Sequence, residues 1–108
     1  MLNNEAKENL ELIYETAEQL WGSNCTFSEL EIKNSPWSEF EQPVCLYGKV
    51  DVGIYYDRSA LDIGIKQNGK YELLSKFTSE NVFRGMTAMQ AENLLHNFKV
   101  LDKVAKRL

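Results

Sequence analysis

Two runs of alternating apolar residues, at 49–56 and 61–66, constrain the fold of this chain more than any other feature. Alternation with a period of two places the apolar side chains of a strand on one face of a sheet. A four-residue turn at 57–60 that pairs Tyr56 with Leu61 sets the register of a hairpin in which apolar faces apolar and opposite charges meet. The further predicted pairs are Ile54 with Ile63, Val52 with Ile65, Gly53 with Gly64 and Asp51 with Lys66.

A third strand is predicted at 70–77, after a turn that contains an Asn-Gly pair. A two-residue loop would place Tyr71 and Leu73 on the polar face of the sheet. A three-residue loop at 67–69, with its glycine left-handed in a G1 bulge, places both side chains on the apolar face instead. We therefore predict the three-residue loop, which pairs Ile65 with Tyr71 and Ile63 with Leu73 and makes Gly69 left-handed.

A helix is predicted on each side of this meander. In residues 3–21 apolar side chains recur at intervals of three and four, and Gly22 suits the left-handed position that ends a helix. A similar stripe follows Thr87, which with Gln90 matches the capping box that opens a helix. The two stripes consist of Leu2, Ala6, Leu10, Ile13, Ala17 and Leu20, and of Ala91, Leu94, Phe98, Leu101, Ala105 and Leu108.

The segment between the first helix and the meander is less regular. Residues 26–33 predict a short strand, 44–47 predict extended structure, and 34–43 predict a loop because two prolines bracket them. The chain of 108 residues is the size of one domain. We therefore expect a single α+β domain, 1–108, with an antiparallel meander of three to five strands between two helices that cover one sheet face.

Composition excludes several classes of function. A net charge of −4 argues against direct binding of nucleic acid and favours a basic partner. No apolar run reaches the roughly 20 residues that cross a bilayer, and the polar start is unlike a signal peptide, so we expect no membrane association and a cytoplasmic location. In that compartment Cys25 and Cys45 are expected to be free thiols.

Groups that could perform catalysis are few. The one histidine, His96, lies off the apolar stripe of the last helix and is expected to be solvated. Two cysteines and one histidine fall short of the four ligands of a structural zinc site. Phosphate-binding glycine motifs are absent from the sequence, and the acids of the strands are expected to be ordinary solvated carboxylates. We therefore expect no enzyme, no cofactor and no metal site.

Two segments are candidate partner-binding surfaces. Glutamates recur on the first helix opposite its apolar stripe, and they form either a solvated helix face or a ridge for a basic groove. The 34–43 loop interleaves two aromatic residues with acids, and its rings either plug the core or anchor a partner. The residues are Glu8, Glu11, Glu15 and Glu18 on the helix and Trp37, Glu39, Phe40 and Glu41 in the loop.

The C-terminal quarter contains Arg84-Gly85-Met86-Thr87, then Gln90-Ala91-Glu92 and Leu94-Leu95. This pattern resembles the ending of small phage and prophage proteins of Gram-positive bacteria, whose last helix opens with Gly-Met-Thr or Gly-Met-Ser. Their usual Glu-Ala order is reversed here. The resemblance implies an accessory protein of a mobile element acting in a bacterial host, a group that includes inhibitors of defence systems such as anti-CRISPR proteins. It implies no site residue.

The leading hypothesis is a non-enzymatic module that binds a protein, such as a basic nucleic-acid-binding protein or a host defence nuclease that it inhibits. One alternative is a structural or regulatory homodimer, with a helix face or a sheet edge as its seam. Another is a small-ligand or enzymatic site over the face of Gly53 and Gly64, rimmed by Tyr55 and Asp62. The glycine pair is otherwise explained as a device for twist or close approach.

Overall fold

A computed structural model describes residues 2–33 and 38–108, and in these residues the chain forms two α-helices and a six-stranded antiparallel sheet. In chain order the elements are α1 (Asn4–Trp21), β1 (Cys25–Phe27), β2 (Glu31–Ile32), β3 (Glu39–Leu46), β4 (Val50–Asp57), β5 (Ala60–Gln67), β6 (Lys70–Leu73) and α2 (Ala91–Arg107). The strand order is β1-β3-β4-β5-β6, and β2 pairs with the same edge of β3 as β1 does. The α+β class is therefore confirmed.

The register of the β4–β5 hairpin is as predicted. Tyr56 lies opposite Leu61, and the ladder continues to the pair of Val52 and Ile65 with Gly53 opposite Gly64. The predicted pairing of Asp51 with Lys66 lies one position beyond the end of this ladder. The turn is shorter than the four residues predicted, because Asp57 pairs with Ala60. It consists of Arg58 and Ser59, whose φ angles of 50° and 68° are typical of a two-residue type I′ loop.

The turn between β5 and β6 differs from the prediction. Its two residues, Asn68 and Gly69, have φ angles of 52° and 79°, so the left-handed glycine is confirmed but the three-residue loop is wrong. Tyr71 and Leu73 consequently lie on the outer face of the sheet. The prediction assumed that this face is polar, whereas Tyr71 packs edge-on against Tyr55 there. The observed pairs are Gln67 with Lys70, Lys66 with Tyr71, Ile65 with Glu72 and Gly64 with Leu73.

Residues 39–46 form a strand, although the sequence predicted a loop through Pro43. On one side Pro43 lies opposite Gly53, and on the other its carbonyl accepts a hydrogen bond from the Ser28 N–H at 3.1 Å. Proline has no N–H to return to the Ser28 carbonyl. The buried Gln42 donates its Nε2 to that carbonyl instead, at 2.9 Å. β3 therefore continues through the proline because a neighbouring side chain supplies the missing donor.

The strand predicted at 26–33 is present as β1 and β2, with a bulge between them. Phe27 lies opposite Val44, but Glu31 lies opposite Glu41, so this strand has one more residue than β3 over the same length. An extra residue of this kind bends and twists an edge strand. β1 therefore runs beside α1, while the side chain of Ile32 in β2 is exposed.

Both helices pack on one face of the sheet, as predicted. The alternating apolar residues of β3, β4 and β5 form a single core with the helix stripes. Trp21 of α1 contacts Phe98 of α2, with ring centroids 5.1 Å apart, and the left-handed Gly22 ends α1. Two stripe residues, Ala91 and Leu108, are exposed. None of the helices described is long and apolar enough to cross a membrane.

The capping box predicted for the last helix does not form. A short 3-10 helix at Met86–Met89 precedes α2, and Gln90 occupies the N-cap without a side-chain hydrogen bond to the first backbone N–H groups of the helix. The Thr87 hydroxyl donates to the Arg84 carbonyl at 3.0 Å instead. A capping box needs the threonine itself in the cap position, and α2 begins three residues later than that.

Candidate functional site

The outward face of α1 carries an uninterrupted row of acids. The helix phase that buries Ala6, Ile13 and Ala17 turns the glutamates to solvent, and none of them forms an ion pair with a residue that the structure describes. Each pair of like charges three or four residues apart destabilises a helix by about 0.2–0.5 kcal/mol. We call this row the acidic ridge; it consists of Glu8, Glu11, Glu15 and Glu18.

An open groove with an aromatic floor runs beside the acidic ridge, between α1 and β1. Its volume is about 550 Å³, and it is lined by Tyr14, Phe27, Glu15, Glu18 and Gln19. The two rings meet edge to face, with centroids 4.8 Å apart and an interplanar angle of 78°. The floor of this α1–β1 groove is therefore apolar, whereas its rim shares two glutamates with the ridge.

Hydrogen bonds hold the floor of the α1–β1 groove in place. The Tyr14 hydroxyl donates to Gln42 Oε1 at 2.6 Å, and Gln42 Nε2 donates to the Ser28 carbonyl next to β1. Burial raises the pKa of Tyr14, so its hydroxyl remains a donor at neutral pH. Because Gln42 is buried and bonded at both ends of its amide, the ring of Tyr14 has a fixed position relative to β1.

The structure describes one of the two aromatic residues that were candidate anchors for a partner. Phe40 is 1% exposed and stacks on Tyr56, with ring centroids 4.6 Å apart, so this ring fills the core, which was one of the two interpretations of the loop. The reason is that β3 extends through this segment and its alternation turns Phe40 into the core. Trp37 lies outside the described residues. Glu39 and Glu41 lie half-buried on the outer face of the sheet.

The outer face of the sheet brings a carboxyl pair next to a tyrosine. Glu31 lies opposite Glu41 across β2 and β3, and the hydrogen bond that a protonated Glu31 donates to Glu41 raises the pKa of Glu31. Tyr55 lies opposite Glu41 across β3 and β4. Burial, and then the Glu41 charge, raises the pKa of Tyr55 to about 12, so its hydroxyl stays protonated and cannot act as a base at neutral pH.

The ring of Tyr55 covers the glycine pair on this outer face. A Cβ atom placed on Gly53 would lie 2.7 Å from the Tyr55 hydroxyl oxygen, and one placed on Gly64 would lie 3.3 Å from the ring. The two glycines therefore allow the ring to lie close to the backbone. The glycine pair therefore has the close-approach role, which was one of its two interpretations.

The thiols and the histidine have structural surroundings. Cys25 faces the core opposite Leu46, whereas Cys45 faces outward, so neighbouring strands hold the two free thiols on opposite sides of the sheet. Burial raises the pKa of Cys25 to about 11, which keeps it a protonated thiol. His96 is half-buried: its Nε2 lies 2.7 Å from the Asn81 carbonyl, and its ring packs edge-on against Phe83. Within the described ranges, His, Cys, Asp and Glu form no cluster of three or more that could hold a metal ion.

The structure therefore separates the residues of the predicted site and adds a groove that was not predicted. The four glutamates of the acidic ridge share one exposed face, as predicted, but the acids of β3 lie on the other side of the sheet. Sequence reasoning missed the aromatic floor of the α1–β1 groove. The sequence does contain a signal for Tyr14, one of the two floor residues. It lies three residues after Glu11 and four before Glu18, on the same side of the helix. Phe27 has no local signal, because its contact with α1 depends on the packing of the strand.

Comparison of the chain with protein-family models, with curated proteins and with solved structures finds no match in any of the three.

Proposed function

We propose that this protein is a binding module without enzymatic activity, which docks on a basic surface of another protein through its acidic ridge and α1–β1 groove. The observation that carries the proposal is the adjacency of the two features: an aromatic floor and, on its rim, carboxylates that have no ion-pair partner among the described residues. The partner then presents an apolar side chain to the floor and Lys or Arg side chains to the glutamates.

Each feature makes a different contribution to binding. Aromatic side chains that bury an apolar group supply most of the affinity of a typical interface. Charges on the rim increase the association rate and select a partner of opposite sign. A nucleic-acid-binding protein or a nuclease has such a basic groove, and the resemblance of the C-terminal quarter to phage accessory proteins suggests a host defence nuclease as the source.

A pull-down from bacterial lysate with charge-reversed variants tests this proposal. The bait is the tagged protein, and its variant carries Glu11→Lys and Glu15→Lys in the acidic ridge. A matched control carries Asp51→Lys and Glu72→Lys, two exposed acids of the sheet, and so has the same net charge. The affinity of each bait for the captured partner, once purified, is then measured by titration at low and at physiological salt.

The expected partner is basic, and reversal of the two ridge charges weakens its binding by roughly tenfold or more at low salt. The sheet control should bind like the wild type, because its substitutions lie away from the ridge. An acidic or neutral partner, or equal effects of the two variants, would contradict the proposed surface. Equal effects would show that net charge alone governs binding.

A further inference from the structure

The outer edge of β1 has backbone hydrogen-bonding groups that β3 does not use. Alternate residues make the bonds to β3: the Tyr47 N–H donates to the Asn24 carbonyl at 2.8 Å, and the Ser28 N–H donates to the Pro43 carbonyl at 3.1 Å. Ladder bonds of an antiparallel pair recur at every second residue, so the N–H and C=O of Phe27 point away from β3. Within the part of the chain that the structure describes, neither group has a hydrogen-bond partner.

This free edge borders the α1–β1 groove. Side chains of directly paired residues lie on the same face of a sheet, so a residue paired with Phe27 would direct its side chain to the ring of Tyr14. Residues two positions before and after it share that face. Their side chains would approach Glu15 and Glu18 on the rim of the groove.

We infer that the edge of β1 is a strand-addition site, and that its occupant is an extended segment of a basic partner protein. In this segment one large apolar residue pairs with Phe27, and Lys or Arg lies two positions away on at least one side. Added strands gain affinity from main-chain hydrogen bonds and specificity from pockets for alternate side chains. The inference rests on the proposed function and adds the way in which the partner is recognised.

A second copy of the chain does not suit this edge. Two β1 strands paired across a two-fold axis would place their acidic ridges side by side, with four glutamates on each ridge. Repulsion between like charges opposes that arrangement, whereas the same charges favour a segment with lysine or arginine. Charge complementarity therefore selects a partner of different sequence.

The probe is a phage-displayed library of random decapeptides, selected against the wild-type protein at low salt. Enriched peptides are synthesised, and their affinities are measured by fluorescence anisotropy. We expect enrichment of an apolar residue with Lys or Arg two positions away. Failure to enrich any peptide, or enrichment of acidic peptides, would overturn the inference.

Paired variants separate the backbone donor from the side chain. Phe27→Ala and Phe27→Pro both remove the ring, but only Phe27→Pro also removes the N–H, which β3 does not use. We expect the proline variant to bind the selected peptide about tenfold more weakly than the alanine variant. At the opposite edge, the N–H of Tyr71 also points outward, so Tyr71→Pro and Tyr71→Ala should bind equally. Equal binding by the two Phe27 variants would overturn the strand-addition site.

Hydrogen exchange of the wild-type protein tests the same contact without a substitution. In the free protein the amide of Phe27 should exchange faster than that of Thr26, which lies in a bonded pair with Cys45. Saturation with the selected peptide should slow exchange at Phe27 by at least tenfold and leave Tyr71 unchanged. A Phe27 amide that is already protected in the free protein would refute the inference whatever the variants do.

The outcomes distinguish the two proposals. If Glu11→Lys with Glu15→Lys weakens the captured partner while Phe27→Pro matches Phe27→Ala, strand addition is wrong and the proposed function stands. If neither change affects binding, both are wrong. Self-association of the wild type in sedimentation that Phe27→Pro abolishes would make the occupant a second copy and would also overturn the inference.

Discussion

One buried side-chain amide, that of Asn97 in α2, binds the segment before this helix. Asn97 is 1% exposed. Its Oδ1 accepts the Phe83 N–H and its Nδ2 donates to the Phe83 carbonyl, both at 2.9 Å. The side chain thus satisfies both backbone groups of a half-buried residue in a stretch without regular structure. We expect that Asn97 holds this stretch against the core.

The cost of Asn97→Ala follows from these two bonds. Each neutral hydrogen bond contributes about 0.5–1.5 kcal/mol net, and a buried group left without a partner costs about 1–3 kcal/mol. Phe83 is only half-buried, so water can reach part of its backbone and reduce the second contribution. We expect a loss of roughly 2–4 kcal/mol in the free energy of unfolding, and a melting temperature lower by roughly 8–16 °C for a chain of this length.

Asn97→Asp tests the direction of the hydrogen bonds. An ionised carboxylate can accept from the Phe83 N–H but cannot donate to the carbonyl, whereas a protonated carboxyl can do both. Burial and the facing carbonyl should therefore raise the pKa of the introduced carboxyl above its value in the unfolded chain. An acid with a raised pKa contributes its full stability below the unfolded pKa, and loses it as the pH rises through the folded pKa.

Urea unfolding of the wild type, Asn97→Ala and Asn97→Asp from pH 3.5 to 7.5 measures both effects. The difference between the wild type and Asn97→Asp should be smallest at the acidic end and should increase toward neutral pH. The difference for Asn97→Ala should stay nearly constant, because alanine does not titrate. A loss below about 1 kcal/mol for Asn97→Ala, or a constant difference for Asn97→Asp, would refute the reasoning.

Two further predictions concern polar side chains that have several hydrogen-bond partners each. Burial alone raises the pKa of Asp102, but hydrogen bonds from Tyr47, Trp21 and Lys106 outweigh it and lower the pKa of Asp102 below its ordinary value. The wild type should therefore have a higher free energy of unfolding than Asp102→Asn, by an amount that is constant above the unfolded pKa of about 3.9. This difference should be lost as the pH falls further. An unchanged difference at pH values near 2 would contradict the prediction. Gln42→Ala should destabilise the protein by roughly 2–3 kcal/mol, and Pro43→Ala should reduce this cost by about 1 kcal/mol because it returns an N–H to the Ser28 carbonyl. A double-mutant cycle from chemical unfolding measures this coupling, and strict additivity would count against it.

Local patterns predicted those parts of the fold that depend on one consistent periodicity. The β4–β5 register followed from alternation because every pair agrees with every other. The β5–β6 register did not, because the choice of loop assumed an outer face without apolar contacts. Tyr71 has such a contact with Tyr55, and the glycines that make room for the Tyr55 ring lie on other strands than Tyr71. Only the packed sheet shows that this face accepts aromatic residues.

The same distinction applies to the candidate site. The acidic ridge could be predicted because helical phase is a local property. Phe40 was assigned to a loop because Pro43 argued against a strand, and the compensation by Gln42 involves a third residue, Ser28. The α1–β1 groove was missed for a related reason. Its floor forms only when β1 pairs with β3 and brings Phe27 beneath α1.

Gln42 links the stability of the sheet to the shape of the groove. Its amide replaces the missing donor of Pro43 and also accepts the hydroxyl of Tyr14, whose ring forms half of the groove floor. Substitution of Gln42 should therefore weaken folding and partner binding together, and a loss of binding in such a variant would not by itself locate the site. The N–H of Phe27 belongs to no bond within the described sheet, so its removal affects binding alone if the edge is used. A binding defect in Phe27→Pro with unfolding matching Phe27→Ala is therefore the more decisive evidence for the site.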